Sequence, residues 1–310
     1  MSHEKSPVIE VEALRVEYRT ESGKLINAVN GLDLSVQPGE VVGFIGPNGA
    51  GKSTTIKVLM GFRQPSSGTV RIFGQPPGAL QARRRIGFLP EVALYYPFLT
   101  ARETLQMFAT LCEIPAGMQT EIIDDLLAKV GLSGRDREAV RGFSKGMLQR
   151  VGIAQAIMGE PDLLILDEVT SGLDPVARYD VRRILLDFKA KGKTVFFSSH
   201  ELSEVTMLCD RVILIDEGKV KTEERLGTLV AGIRRHVISA RVPAIPSGLP
   251  RGTYLRSVDG GVAQFSAESL SEKEALCALL AEHGASEFQE REEAGSLEDF
   301  FVQQIGHKVT

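Results

Sequence analysis

Apolar and polar positions change period several times along this chain. Val8 to Tyr18 sets Val8, Glu10 and Glu12 on one face against Ile9, Val11 and Ala13 on the other, which predicts a half-exposed strand. Ala28 to Val36 predicts a second strand, closed by the turn Gln37-Pro38-Gly39-Glu40. Four further runs are almost continuously apolar: Val41 to Ile45, Leu163 to Leu166, Thr194 to Ser198 and Val212 to Ile215. Runs of that kind suit parallel strands covered on both faces. Helical patterns lie between them, among them Thr54 to Met60 and Pro175 to Lys191, the latter with Asp174 as N-cap and Pro175 at the first helical position. Strands alternating with helices predict an α/β fold with a mainly parallel sheet.

Two stretches read differently. Ala101 to Gly159 contains helical patterns only, at Arg102–Leu111, Gln119–Val130 and Lys145–Met158, and predicts a helical subdomain over residues 92–159 inserted in the core. Beyond residue 228 the pattern is α+β. His236–Val242 reads as a strand, and Thr253–Val258 and Gly261–Ser266 flank Asp259-Gly260 as a hairpin. Ser271-Glu272-Lys273-Glu274 reads as a capping box before the helix Ala275–Glu282, and Ser296-Leu297-Glu298-Asp299 opens a last short helix. The expected domains are 1–228 and a small α+β domain at 229–310.

Composition narrows the classes. Hydrophobic content of 43% and charged content of 25% are those of a soluble globular protein. A net charge of −4 disfavours a protein whose main task is nucleic-acid binding. Cys112, Cys209 and Cys277 are odd in number and widely spaced, which predicts reduced, partly buried thiols in a cytoplasmic protein. Met1 to Glu10 lacks the apolar region of a signal peptide, and no apolar run is long enough for a membrane span. Any membrane span would come from other chains. His3, His236, His283 and His307 have no motif around them and are expected at the surface.

The candidate chemistry begins at Gly46-Pro47-Asn48-Gly49-Ala50-Gly51-Lys52-Ser53, which fits the phosphate-binding pattern G-x-x-x-x-G-K-[ST] between a strand and a helix. Backbone N–H groups of such a loop converge on an anion, and the following helix adds its positive end. Gly49 and Gly51 let the backbone approach the ligand. Lys52 can reach the outer phosphates and Ser53 can ligate Mg2+. A second acidic pair, Asp167 and Glu168, ends the apolar run Leu163 to Leu166. An acid there can hold Mg2+, and the next can polarise an attacking water.

Phe143-Ser144-Lys145-Gly146-Met147, Ser171-Gly172-Leu173-Asp174 and His200 complete the series. In order and spacing, Val8 to Arg225 resembles the nucleotide-binding subunit of ABC (ATP-binding cassette) transporters. The resemblance implies a P-loop NTPase core with an antiparallel β subdomain. It implies that Gly46 to Thr54 is the Walker A loop, Asp167 the Walker B acid and Glu168 the catalytic glutamate. Ser171 to Asp174 would be the D-loop, with Asp174 near nucleotide, and His200 the switch histidine. Tyr18 falls where the family stacks an aromatic ring on adenine, and Ser144 and Gly146 where its signature meets phosphate.

Two positions depart from the family pattern: the signature Leu-Ser-Gly-Gly-Gln is Phe143 to Met147 here, and the Q-loop glutamine is Glu91. A carboxylate at Glu91 can still ligate Mg2+ but adds charge beside a polyphosphate. The implied cofactors are ATP and Mg2+. The implied partners are a second copy of the chain, paired head to tail on ATP, and an integral membrane permease at the cytoplasmic face of the cell membrane. The tail Gly295 to Val302 resembles that of bacterial export ATPases of the antibiotic-resistance and sodium-extrusion kind. The alternative is a soluble ABC-type ATPase of DNA repair or translation. The short gap before the signature, without sustained heptads, and the single cassette speak against it. A kinase-like P-loop enzyme leaves the signature and D-loop unexplained.

Overall fold

The computed structural model of the chain describes residues 6–19, 23–232, 234–250, 252–267, 269–294, 297, 300 and 301. It divides into two compact units, Met1–Arg225 and Leu226–Thr310.

The first unit starts with β1 (Ile9–Arg19), β2 (Leu25–Val36) and β3 (Val41–Ile45), then α1 (Lys52–Leu59), β4 (Ser67–Ile72), α2 (Leu80–Arg83) and β5 (Ile86–Leu89). Three helices follow, α3 (Ala101–Leu111), α4 (Ala116–Lys129) and α5 (Lys145–Ile157). The chain then returns through β6 (Leu163–Asp167), α6 (Pro175–Ala190), β7 (Thr194–Ser199), α7 (Leu202–Leu208), β8 (Arg211–Asp216) and β9 (Lys219–Arg225).

Among the described residues these strands form two sheets. One has the order β5-β6-β7-β3-β8-β9, parallel except for β9, and the other is the antiparallel β2-β1-β4. The apolar runs of β3, β6 and β7 are buried at every position, as two-sided cover requires. One core runs from the antiparallel sheet into the parallel one, with Phe44 on β3 and Phe196 on β7 at 5.3 Å between ring centroids.

The carboxyl ends of β3, β6 and β7 lie side by side, because Ile45 pairs with Ser199 and Asp167 with Ser198. Open α/β sheets bind ligands at that edge. Asp174 caps α6 by accepting from the Ala177 N–H at 2.9 Å, with Pro175 in the first turn. Strands β4, β5 and β9 are not among the expected strands. Lys219-Val220-Lys221-Thr222-Glu223-Glu224-Arg225 is mostly exposed and strand only by pairing with β8.

The second unit holds α8 (Leu226–Gly232), β10 (Arg234–Arg241), β11 (Thr253–Asp259), β12 (Val262–Ala267), α9 (Leu270–Glu282) and β13 (Ser286–Ala294). Its antiparallel sheet has the order β11-β12-β10-β13, and Ile238, Phe265, Leu276 and Leu280 close a core between sheet and α9. Several expectations are corrected here. The two-residue turn is Gly260-Gly261, one residue later than Asp259-Gly260, because both positions need positive φ (55° and 82°). The N-cap of α9 is Ser269 and not Ser271: its hydroxyl accepts from the Glu272 N–H, and Ser271 lies in the first turn. His236 is buried on β10 with Nδ1 3.5 Å from Glu290 Oε1, whereas His283 is exposed. His3 and His307, and Gly295, Ser296, Glu298, Asp299 and Val302 of the tail, lie outside the described residues. Cys112 is exposed, Cys277 half-buried and Cys209 buried. Among the described residues no helix is long and apolar enough to cross a membrane.

Candidate functional site

Strand β3 ends at Ile45, the chain bends through 46–51, and α1 starts at Lys52. The bend depends on Gly51, whose φ is 109° and whose missing Cβ would lie 2.5 Å from the Ala28 carbonyl. No side chain caps the first N–H groups of α1, which leaves them free for an anion.

Lys52 is buried and folded back on the loop. Its Nζ donates to the carbonyls of Gly46 at 2.7 Å and Pro47 at 3.3 Å, and lies 3.4 Å from Glu168 Oε1. The Ser53 hydroxyl donates to Asp167 Oδ1 at 3.3 Å. Asp167 is the last residue of β6, and the Ser198 hydroxyl on neighbouring β7 donates to the same oxygen at 2.5 Å.

Glu168 follows in left-handed backbone, φ 51°, with its N–H donating to Ser198 Oγ at 2.9 Å. Its other carboxylate oxygen, Oε2, is 2.6 Å from His200 Nδ1. One carboxylate therefore bridges the loop lysine and the histidine beyond β7.

These groups border one cleft of about 500 Å3, lined by Pro47 to Thr54, Glu91, Glu168 and His200, with Ala28 and Ser171 completing the wall. Gly46 and Asp167 stand directly behind this lining, through their bonds to Lys52 and Ser53. Tyr18 is not part of the lining; its hydroxyl is 3.5 Å from Thr54 Oγ1. The Arg63 guanidinium sits 4.4 Å over the Tyr18 ring and is tied to the Glu17 carbonyl at 2.8 Å.

Ser144, Gly146 and Asp174 are not brought to the cleft. Ser144 is the N-cap of α5, accepting from the Met147 N–H at 3.3 Å, and the Lys145 side chain lies against Gly172. Ser198 and Ala28 were not legible as site residues. Both enter through strand pairing and close approach, which leave no motif behind.

The family described as ABC transporter matches residues 29–171. The bacitracin transport ATP-binding protein of Bacillus licheniformis is 37% identical over 288 residues, covering 90% of this chain and 92% of that protein. A fluoroquinolones export ATP-binding protein of Mycobacterium tuberculosis (strain CDC 1551 / Oshkosh) is 35% identical over 288 residues, covering 91% and 89%. This chain belongs to the ABC transporter family. Within it, the chain is an ATP-binding subunit and an ATPase. A solved ATP-binding cassette, a dimer in a post-hydrolysis state bound to ADP and Pi, has the same fold. Its TM-score is 0.65 at 24% identity, over 70% of this chain and 98% of that one. Both sequence alignments are longer than the first unit of this ABC ATPase, so its second unit has counterparts in those relatives.

Proposed function

We propose that the chain powers an exporter, as a pair of identical copies at the cytoplasmic face of a membrane, beneath a separate permease. One observation carries this reading. Lys52, Ser53, Glu168 and His200 converge on one cleft with Asp167 behind them, while Ser144 and Gly146 stand outside it. The cleft has what is needed to hold a triphosphate and activate water, but not the signature, which a second copy would bring.

In this reading Lys52 and the free N–H groups of the loop Gly46 to Thr54, in which Pro47 has none, hold the phosphates, and Tyr18 supports the base. Ser53 and Glu91 line the cleft and Asp167 stands behind Ser53, and as hard oxygen donors they are the residues that would hold Mg2+. Bound there, Mg2+ would neutralise charge on the outer phosphates. Glu168 takes the proton of the attacking water, and His200 holds the carboxylate's orientation. Asp174 sets the start of α6, and with it Ser171 at the cleft wall.

Export is supported by the name of the fluoroquinolones export relative. A permease is supported by the segment between β5 and α3, where Val92, Leu94, Tyr96 and Phe98 are 67%, 89%, 57% and 70% exposed. Apolar side chains so concentrated mark a protein-binding surface. The test is copurification of the tagged chain from detergent-solubilised membranes. A polypeptide with several membrane spans is expected with the wild type and is expected to be lost from L94E and F98E, with ATP binding kept. Wild-type chain that never retains such a partner would refute the transporter reading.

A further inference from the structure

Helix α5 joins three places that are far apart in sequence. Near its start, Gln149 is buried, and its Nε2 donates to the Val169 carbonyl at 2.9 Å. Val169 directly follows Glu168, whose left-handed backbone persists only if its surroundings over-determine it. They do so from both sides: Ser198 holds the N–H of Glu168, and Gln149 holds the carbonyl of the next residue.

Farther along α5, Gln155 Oε1 accepts from the Tyr95 hydroxyl at 3.1 Å. Tyr95 belongs to the exposed segment after Glu91, between Leu94 and Tyr96, but its ring turns inward against Phe108. Burial pushes the Tyr95 phenol well above its ordinary range, so it stays a donor. Between the two glutamines α5 is seated directly on β5. A Cβ at Gly152 would overlap Leu89 and come within 3.0 Å of the Tyr95 hydroxyl, and a Cβ at Gly87 would overlap the Ala156 carbonyl. Close-packed interiors transmit displacement because they do not compress. A shift of α5 on β5 therefore moves Tyr95 and the Val169 carbonyl together.

We propose that α5 rigidly links the exposed 91–98 segment to the turn carrying Glu168, with Tyr95 and Gln149 as positioning residues for hydrolysis. The proposal rests on reading Glu168 as the general base. What docks on Leu94 and Phe98 would then be felt at Glu168 through the backbone that follows it, without passing through the nucleotide.

The test is steady-state ATP hydrolysis by the full chain, with kcat and KM measured separately and nucleotide affinity measured directly, for Q149M, Y95F and the double variant. Gln149→Met keeps the side chain's length and removes the donor; Tyr95→Phe removes one oxygen. The expected kcat falls about tenfold in Q149M and about threefold in Y95F, with KM and ADP affinity within about twofold of wild type. The double variant is expected to fall no further than Q149M.

Losses that multiply to about thirtyfold would separate the two residues and overturn the link. So would wild-type kcat in Y95F, which gives the answer even where Q149M fails to fold. A role in stability alone would lower the melting temperature and leave kcat per folded site unchanged. Undiminished turnover in E168Q would remove the base assignment. Loss in E168Q with no effect in Q149M and Y95F would defeat the link alone.

Discussion

Lys52 Nζ lies 3.4 Å from Glu168 Oε1, so the phosphate loop's cation and the acid after β6 face each other across the same cleft. Both are buried, and a triphosphate would draw the ammonium away from the carboxylate. Lys52→Ala is expected to weaken ATP binding by at least about 10²-fold, or ~2.7 kcal/mol. Isothermal titration measures this, and wild-type affinity would sink the loop's role.

Glu168→Gln keeps the shape of the side chain and removes its basicity. Turnover is expected to fall by about 10²–10⁴, the usual range for a general base. ATP binding is retained, and an ATP-bound pair of chains accumulates. Light scattering on the eluting species reads the second effect. A variant that stays monomeric with ATP and turns over normally contradicts both expectations.

Among the described residues Tyr18 meets the cleft through Thr54. If it supports the base, Tyr18→Ala should cost about 1–3 kcal/mol of nucleotide affinity, and Tyr18→Phe, which keeps the ring, much less. Equal losses in the two would place the effect in the hydroxyl and not in stacking.

The parallel strands β3, β6, β7 and β8 were legible because burial on both faces writes itself as nearly continuous runs of Val, Ile, Leu and Phe; β5, only four residues long, was not. The loop and the acids at strand ends were legible because phosphate chemistry needs those residue types at those spacings. Strand β9 was not, since most of its side chains face water and pairing with β8 makes it a strand. Ser269 was missed for Ser271 because both precede an acid at helical spacing, and only the observed bond to the Glu272 N–H separates them. Ser198 was hidden because its bonds to Asp167 and Glu168 depend on which strands are neighbours.

Glu91 lines the cleft as an acid, where the resemblance of its segment to the family's Q-loop implies an amide. Glu91→Gln is expected to leave turnover within about threefold of wild type and to change the Mg2+ concentration needed for half-maximal rate. Complete loss of turnover would mean that the charge, and not the oxygen donor, is required.

Asp162, at the foot of β6, receives Lys193 Nζ at 2.8 Å and Arg85 Nε at 2.8 Å. These partners, Lys193 first, hold its carboxyl below the usual carboxylate range. A depressed folded value adds stability above the ordinary carboxylate pKa of about 3.9, and that stability is lost as pH falls through the folded value. Asp162→Asn should lower the melting temperature at neutral pH and flatten its decline below about pH 4. Parallel melting curves for the two proteins across that range would exclude the linkage.

The left-handed backbone at Glu168 has a consequence for anyone improving this chain's heat resistance. A non-glycine residue at φ 51° costs on the order of 1–3 kcal/mol in such a conformation. Glycine or asparagine would adopt it more readily, and the side chain borders an open cleft, so truncating it there leaves no sealed void. Against that gain stands the loss of the carboxylate's bridge from buried Lys52 to His200. Directed evolution scored on survival at high temperature alone therefore reads the balance of strain and ion pair and not catalysis, and selection must include turnover to keep the carboxylate.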